Sequence, residues 1–373
     1  MRDAVVVVGP GLVADPALLG EAAEREFAAL GVRGTIVHAR DAAEVRSCTA
    51  RAGDSGTAVV AVPGPTPQAR ELMGRAAGPV VWLDLVRADD TEVGEGAVHL
   101  HGRGVEGLAW AIRHAVHRLS HPRRRVPYGE HRDQWADLYL PALPADPPAA
   151  DSAGMAASAG APVAALVHGG NWRSVWAADL MDALALDLVD RGFAVWNLEY
   201  RRPDPHGWQA TTDDVAAGLN ALADVDAPVD LDRVAVVGHS AGAQLALRAA
   251  ADGARVSLAV SLAGILDLVE ADRRWLGSGA VAAALGARTD AGSRLYGTAS
   301  PLLRLPLKVR QLVVQGSGDE LDLVDFGRRY ARAAREAGDE VTYLEMSGDH
   351  FAVIDPRAPI WRTTALAITE TLR

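Results

Sequence analysis

The segment VAVVGHSAGAQLALRAAA (234–251) constrains this chain more than any other. Val234–Val237 reads as a buried strand, and Ala243–Ala251 continues as a helix. Between them GHSAG (238–242) has the spacing G-x-S-x-G, in which two glycines let a strand turn tightly into a helix. A serine at the apex of such a turn projects its hydroxyl from the sheet edge, and the helix N-terminus beneath it favours negative charge. A buried strand feeding a helix in this way points to an α/β sheet. Ser240 is therefore the candidate nucleophile.

The rest of the second half supplies what such a serine needs. The strand Val163–His168 runs directly into HGGNW (168–172). Backbone N–H groups near Gly169, Gly170 and Asn171, joined by that of Ala241, are the candidate oxyanion donors, and glycine permits the required peptide orientation. In this topology the order along the chain is serine, acid, histidine. His350, in SGDHF, is the only histidine after Ser240 and is the candidate base. The strand Gln311–Gln315 runs into GSGDELD, where Asp319 follows the glycine turn directly and Asp322 is the alternative acid. Trp172, Trp176, His239 and Trp275 are candidate substrate-pocket residues, because aromatic surfaces at a site mouth suit a flat group. Trp275 lies in Leu268–Ser300, where a cap is expected. Arg201 and Arg202 offer charge either to a substrate carboxylate or to the surface.

Further elements follow from periodicity. Trp176–Asp190 reads as a helix, Phe193–Leu198 as a strand, and Thr211–Ala223 as a helix with Thr211 or Thr212 near its cap. Val256–Leu262 and Val341–Met346 read as strands, and Gln134–Pro141 as the edge strand that opens the sheet. A boundary at Ser120–Arg125 gives domains 1–122 and 123–373. The Ala- and Pro-rich stretch 143–162 is expected to be a mobile loop inside the second.

With these motifs, residues 126–373 resemble the α/β-hydrolase fold. HGGNW followed by GHSAG is most similar to the kynurenine formamidase and HGG-type esterase branch. The resemblance implies hydrolysis of a small ester or N-formyl amide through an acyl-enzyme on Ser240, with no cofactor and no metal. A transferase or cyclase using the same triad, or a non-catalytic assembly protein, are the alternatives. The chain departs from that branch at Ala243, where another glycine is common, and in carrying an N-terminal domain.

That first third alternates strands and helices. The strands read as Ala4–Val8, Thr35–His38, Ala58–Val62, Val80–Leu85 and Ala97–Leu100. The helices read as a first one opened by Asp15-Pro16 and ended by Gly31, then Asp41–Arg51, Pro67–Ala76 and Val105–Leu119. Five strands in this rhythm imply a flavodoxin-like parallel sheet. VVVVGPGL (5–12), VPGPTPQARELM (62–73), GPVVWLDL (78–85) and GRGVEGLAWAIRHAV (102–116) resemble type II 3-dehydroquinate dehydratase in order and spacing. That family's catalytic histidine falls at Trp82 and its asparagine before Pro-Gly at Val62. No tyrosine occurs before Tyr128, so the resemblance implies an inactive domain. It also implies homo-oligomerisation through this domain, with Trp110 off the apolar stripe Leu108, Ile112, Ala115 and Leu119. His114, His117 and His121 would share a helix face if that helix continued, but the interleaved arginines fit a solvated face better than a metal site.

Composition narrows the remaining classes. The net charge of −11 argues against nucleic acid and anionic membrane as partners and leaves a small-molecule substrate. A single cysteine, Cys48, excludes an intrachain disulfide. Lys308 is the only lysine, which removes a phosphate-binding GxxxxGK[ST] loop. The valine run near the start is broken by Gly9-Pro10, unlike a secretory signal, so a soluble cytoplasmic protein is expected.

Overall fold

A strand buried on both faces must be apolar at every position, and AVVAV (58–62) meets that condition at all five residues. The computed structural model describes residues 2–75, 78–89, 91–142, 160–289 and 294–373; of the loop expected at 143–162, residues 143–159 lie outside them, and Ala161 and Pro162 belong to a strand instead. The chain divides into two units, Met1–Pro122 and Arg123–Arg373.

In the first unit β1 (Asp3–Val8), β2 (Arg33–His38), β3 (Ala58–Val62), β4 (Val80–Asp84) and β5 (Val98–His101) form a parallel sheet in the order β2-β1-β3-β4-β5. Val6, Val8, Val60 and Val62 pack on one face with Leu108 and Ile112. Val7, Val59 and Ala61 pack on the other with Val45 and Met73. The first helix, Pro16–Leu30, is capped by Asp15, whose carboxylate accepts from the Leu18 N–H at 2.9 Å, and is closed by left-handed Gly31. The last helix spans Gly107–Arg118. His121 lies beyond its end, so the three histidines do not share one helical face.

In the second unit the strands are β6 (Arg124–Pro127), β7 (Trp135–Tyr139), β8 (Ala161–Val167), β9 (Ala194–Leu198), β10 (Val229–His239), β11 (Leu258–Leu262), β12 (Arg310–Gly316) and β13 (Val341–Met346). Their order is β13-β12-β11-β10-β8-β9-β7-β6, parallel from β13 to β9 and antiparallel through β7 and β6. The edge is β6, drawn from the stretch read as a boundary, and β7 lies one place inside it. Arginine concealed this strand from the periodicity: Arg123 and Arg125 both pair with buried Asp137 of β7. The helix expected from Thr211 begins earlier, at Trp208 after Gly207. Thr211 and Thr212 are inside it rather than capping it, and their hydroxyls donate to the carbonyls of Arg201 and Gln209. The helix expected at Trp176 opens as a tight turn at Ala178–Met181 before Asp182–Asp190. Among the described residues no helix is long and apolar enough to cross a membrane.

Candidate active site

The strand β10 ends at His239, and Ser240 follows with φ 54° and ψ −120°. A side-chain-bearing residue in such a conformation costs about 1–3 kcal/mol and persists only where its surroundings fix it. Here the Ser240 N–H donates to the Leu262 carbonyl at 2.8 Å, and its own carbonyl accepts from Ala243 N–H at 3.1 Å. The two flanking glycines are required by contact rather than by their own dihedrals. A Cβ on Gly238 would overlap the Gly242 carbonyl, and one on Gly242 would overlap the carbonyls of Val167 and His168.

The loops after β12 and β13 bring acid and base together. His350 Nδ1 lies 2.9 Å from Asp319 Oδ2. That oxygen also accepts from Gln315 Nε2 at 3.0 Å, and Oδ1 accepts from Glu320 N–H at 2.7 Å. Burial acts to raise the Asp319 pKa, but the hydrogen bond and charge of His350, with the two N–H donors, hold it below the ordinary carboxylate value. Asp322 is partly exposed and pairs with Arg274 at 2.8 Å, which leaves Asp319 as the carboxylate on His350. His239 joins elbow to base: its Nε2 donates to the His350 carbonyl at 3.1 Å, and the two rings lie 4.8 Å apart. Burial, then the neighbouring His350, pushes the His239 imidazole down to about 3, so it is neutral. With its ring almost wholly buried, it braces the base loop.

The segment HGGNW crosses directly in front of the elbow. A Cβ on Gly169 would come within 2.6 Å of the His239 carbonyl oxygen and 2.9 Å of Ser240 Cβ, so only glycine lets this backbone lie against the serine. Gly170, Asn171 and Trp172 then have φ of 111°, 53° and 57°. Ala241 follows Ser240 as the first residue of the helix Ala241–Ala251, where its N–H has no partner within the helix.

The tryptophans separate. Trp172 is buried in the core and donates from Nε1 to Gln244 Oε1 at 3.1 Å. Trp176 packs over Gly170. Trp275 is 55% exposed, beside a left-handed turn at Gly277–Gly279 that also touches the Asn171 side chain. Phe351, 43% exposed and edge-on to the His350 ring at 5.5 Å, was not singled out from sequence; its position beside the base was the available signal.

Neither arginine after Tyr200 is available for a substrate carboxylate. Arg201 holds Asp214 through two hydrogen bonds of 2.8 and 2.7 Å. Arg202 is buried against Glu199 and Asp133. Sequence periodicity did not expose Glu199, which sits behind the HGGNW segment and contacts the His168 ring. His131, Asp133 and His206 also converge, with one ligand-type atom from each within 4.8 Å of the others. His131 Nδ1 already accepts from the Asp133 N–H, and the Asp133 carboxylate already accepts from Arg202.

In the first unit Trp82 and Val62 are buried apolar positions. Asp84, at the end of β4, pairs bidentately with Arg70 at 2.7 and 2.9 Å and lies 3.0 Å from His99 Nε2. Despite burial, those hydrogen bonds hold Asp84 down to about 2. The loops after β1 and β3 close on one another: Gly9 N–H donates to the Val62 carbonyl at 2.7 Å, and a Cβ on Gly9 would overlap Pro63.

With the sheet order, the serine turn and the buried acid under the histidine in place, the chain can be set beside known proteins. The family model BD-FAE matches residues 154–321, less than half of the chain. A bacterial heroin esterase is 21% identical, with 68% of this chain and 84% of that one covered and a TM-score of 0.53. Esterase B from Lactobacillus rhamnosis is 17% identical over 70% and 90%, with a TM-score of 0.57. A bifunctional GH43-CE protein from Bacteroides eggerthii is 18% identical with a TM-score of 0.55; 67% of this chain is covered but only 35% of that one. No curated protein sequence matches the chain. The second unit has the α/β-hydrolase fold.

Proposed function

We propose that the second unit is a serine hydrolase cleaving a small ester or N-acyl amide through an acyl-enzyme on Ser240. The observation that carries this reading is the convergence of three loops: the left-handed Ser240 turn, the 2.9 Å His350–Asp319 pair, and Gly169 lying against Ser240 Cβ. Ser240 Oγ attacks the carbonyl carbon, and His350 takes its proton. Asp319 holds the imidazole with Nδ1–H toward itself, leaving Nε2 as the base. The tetrahedral oxyanion is received by the N–H of Ala241 and of the Gly169–Asn171 segment. His350 returns the proton to the leaving group, and water then releases the acyl group by the same route. The similar solved structures are named esterases, which supports the ester class. The HGGNW resemblance supports a kynurenine formamidase-type N-formyl substrate, with exposed Trp275 and Phe351 as surfaces for a flat group. A fluorophosphonate probe should label the protein once, and Ser240→Ala should abolish both labelling and turnover of aryl esters and N-formylkynurenine. Labelling elsewhere, with turnover intact, would overturn the assignment.

The first unit, in this reading, is a flavodoxin-like domain of dehydroquinase ancestry that retains no dehydration chemistry and serves homo-oligomerisation. Apolar Trp82 and Val62 at the matching positions support the loss of chemistry. Turnover of 3-dehydroquinate that survives Ser240→Ala would refute the first part. A monomer by light scattering at micromolar concentration would refute the second.

A further inference from the structure

His168 opens HGGNW and is fully buried, and both of its ring nitrogens face acceptors. Nδ1 lies 2.8 Å from the Gly169 carbonyl oxygen, which can only accept. Nε2 lies 3.2 Å from Glu199 Oε1. Glu199 is itself an acceptor: Oε1 receives the Tyr200 N–H at 3.0 Å and the Arg202 guanidinium, and Oε2 receives the Ala178 N–H at 2.9 Å. A carboxylate surrounded by three N–H donors is ionised. Both imidazole nitrogens must then carry protons, which makes the ring a cation.

Glu199 and Asp133 contribute two negative charges, and Arg202 contacts both. A protonated His168 places a second cation beside the buried Glu199, while the partly exposed Asp133 also meets Arg132 at 4.0 Å. The Tyr200 ring stacks on the imidazole at 4.4 Å, and its hydroxyl donates to the His168 carbonyl at 2.7 Å. Neutral His239 is the other titratable group whose charge state His168 influences, and that influence lowers it further.

We propose that His168 is a buried imidazolium, held by Glu199, that positions the oxyanion segment and places a fixed positive charge behind it. The geometry follows from peptide planarity. With the Gly169 carbonyl held by His168 Nδ1–H, the N–H of Gly170 in the same trans peptide must point the opposite way. The charge sits one residue from the peptide that receives the developing oxyanion, where the low dielectric gives it most effect. This inference deepens the serine-hydrolase reading and rests on it for its kinetic consequence, but not for the protonation state.

The test has two arms on the full chain. In the first, 15N-detected imidazole NMR at neutral pH, assigned by loss of the signal in His168→Asn, should show His168 with two protonated nitrogens. A ring with one bare nitrogen overturns the inference whatever the activity. In the second, Glu199→Gln should lower kcat for p-nitrophenyl acetate on the order of 10- to 100-fold with KM nearly unchanged, and Glu199→Asp should recover part of the loss. A folded Glu199→Gln protein with unchanged kcat overturns the positioning role. If Glu199→Gln fails to fold, the spectrum of the unaltered chain still decides. If the unaltered chain labels with no fluorophosphonate and cleaves no ester, the Ser240 reading fails, and the imidazolium stands or falls on its spectrum.

Discussion

Replacing Asp319 by asparagine tests the candidate site most directly. The carboxylate accepts three N–H groups: His350 and Gln315 on Oδ2, Glu320 on Oδ1. Asparagine offers one acceptor oxygen and one NH2, so one side must meet a donor with a donor. With its oxygen at the Oδ2 position, the NH2 faces the Glu320 N–H and the anion under His350 is gone. With its NH2 there, two donors are opposed unless His350 adopts the other tautomer, which puts a proton on the nitrogen that must act as base. Either way the imidazolium formed during attack loses its counter-charge. Loss of kcat on the order of 10³- to 10⁴-fold is expected, about 4–5.5 kcal/mol in the barrier. One buried polar group left unpaired should also cost about 1–3 kcal/mol of stability. The assay is kcat on p-nitrophenyl acetate, with urea melts on the same samples. Asp322→Asn is the control, because that side chain is partly exposed and bound to Arg274, and it should change kcat less than twofold. Asp319→Asn activity within tenfold of the unaltered protein, or a large loss in Asp322→Asn, would refute the reasoning.

Three further outcomes are expected. Ser240→Gly removes the nucleophile and also the strain of a Cβ at φ 54°, so it should abolish turnover while raising unfolding free energy by about 1 kcal/mol; a destabilised variant in urea melts would contradict this. His239 is neutral when folded and titrates near 6.5 when unfolded. Acid therefore favours the unfolded state between about pH 6.5 and about pH 3, and this one group should remove about 1.4 kcal/mol of stability per pH unit lost. His239→Gln should flatten the pH dependence of the urea midpoint by that slope, and an unchanged slope counts against it. Gly238→Ala should prevent the second unit from folding, because the added methyl meets the Gly242 backbone rather than a movable side chain; soluble, active protein would disprove that packing argument.

Much of this chain was legible because local chemistry over-determined it. The runs Ala58–Val62 and Val341–Met346 are strands to the residue, since short apolar or alternating runs between turn residues admit little else. Asp15-Pro16 and Gly31 marked both ends of the first helix through capping groups that act within one turn. Ser240, His350 and the loop that carries the acid could be named as candidates, because the connection of strands fixes which loops meet at one sheet edge. What the sequence concealed depends on partners distant in the chain. β6 reads as a basic linker until Arg125 meets Asp137 across the ladder. Trp172 reads as a site aromatic until Gln244 takes its indole N–H inside the core. Arg202 reads as a surface charge until it is buried with Glu199, and Asp319 parted from Asp322 only when His350 Nδ1 came within 2.9 Å of it. Apolar period, caps and turn glycines are decided by neighbours a few residues away, so the sequence determined them. The partner of each buried charge is decided by which strands lie side by side, and only the tertiary structure decided that.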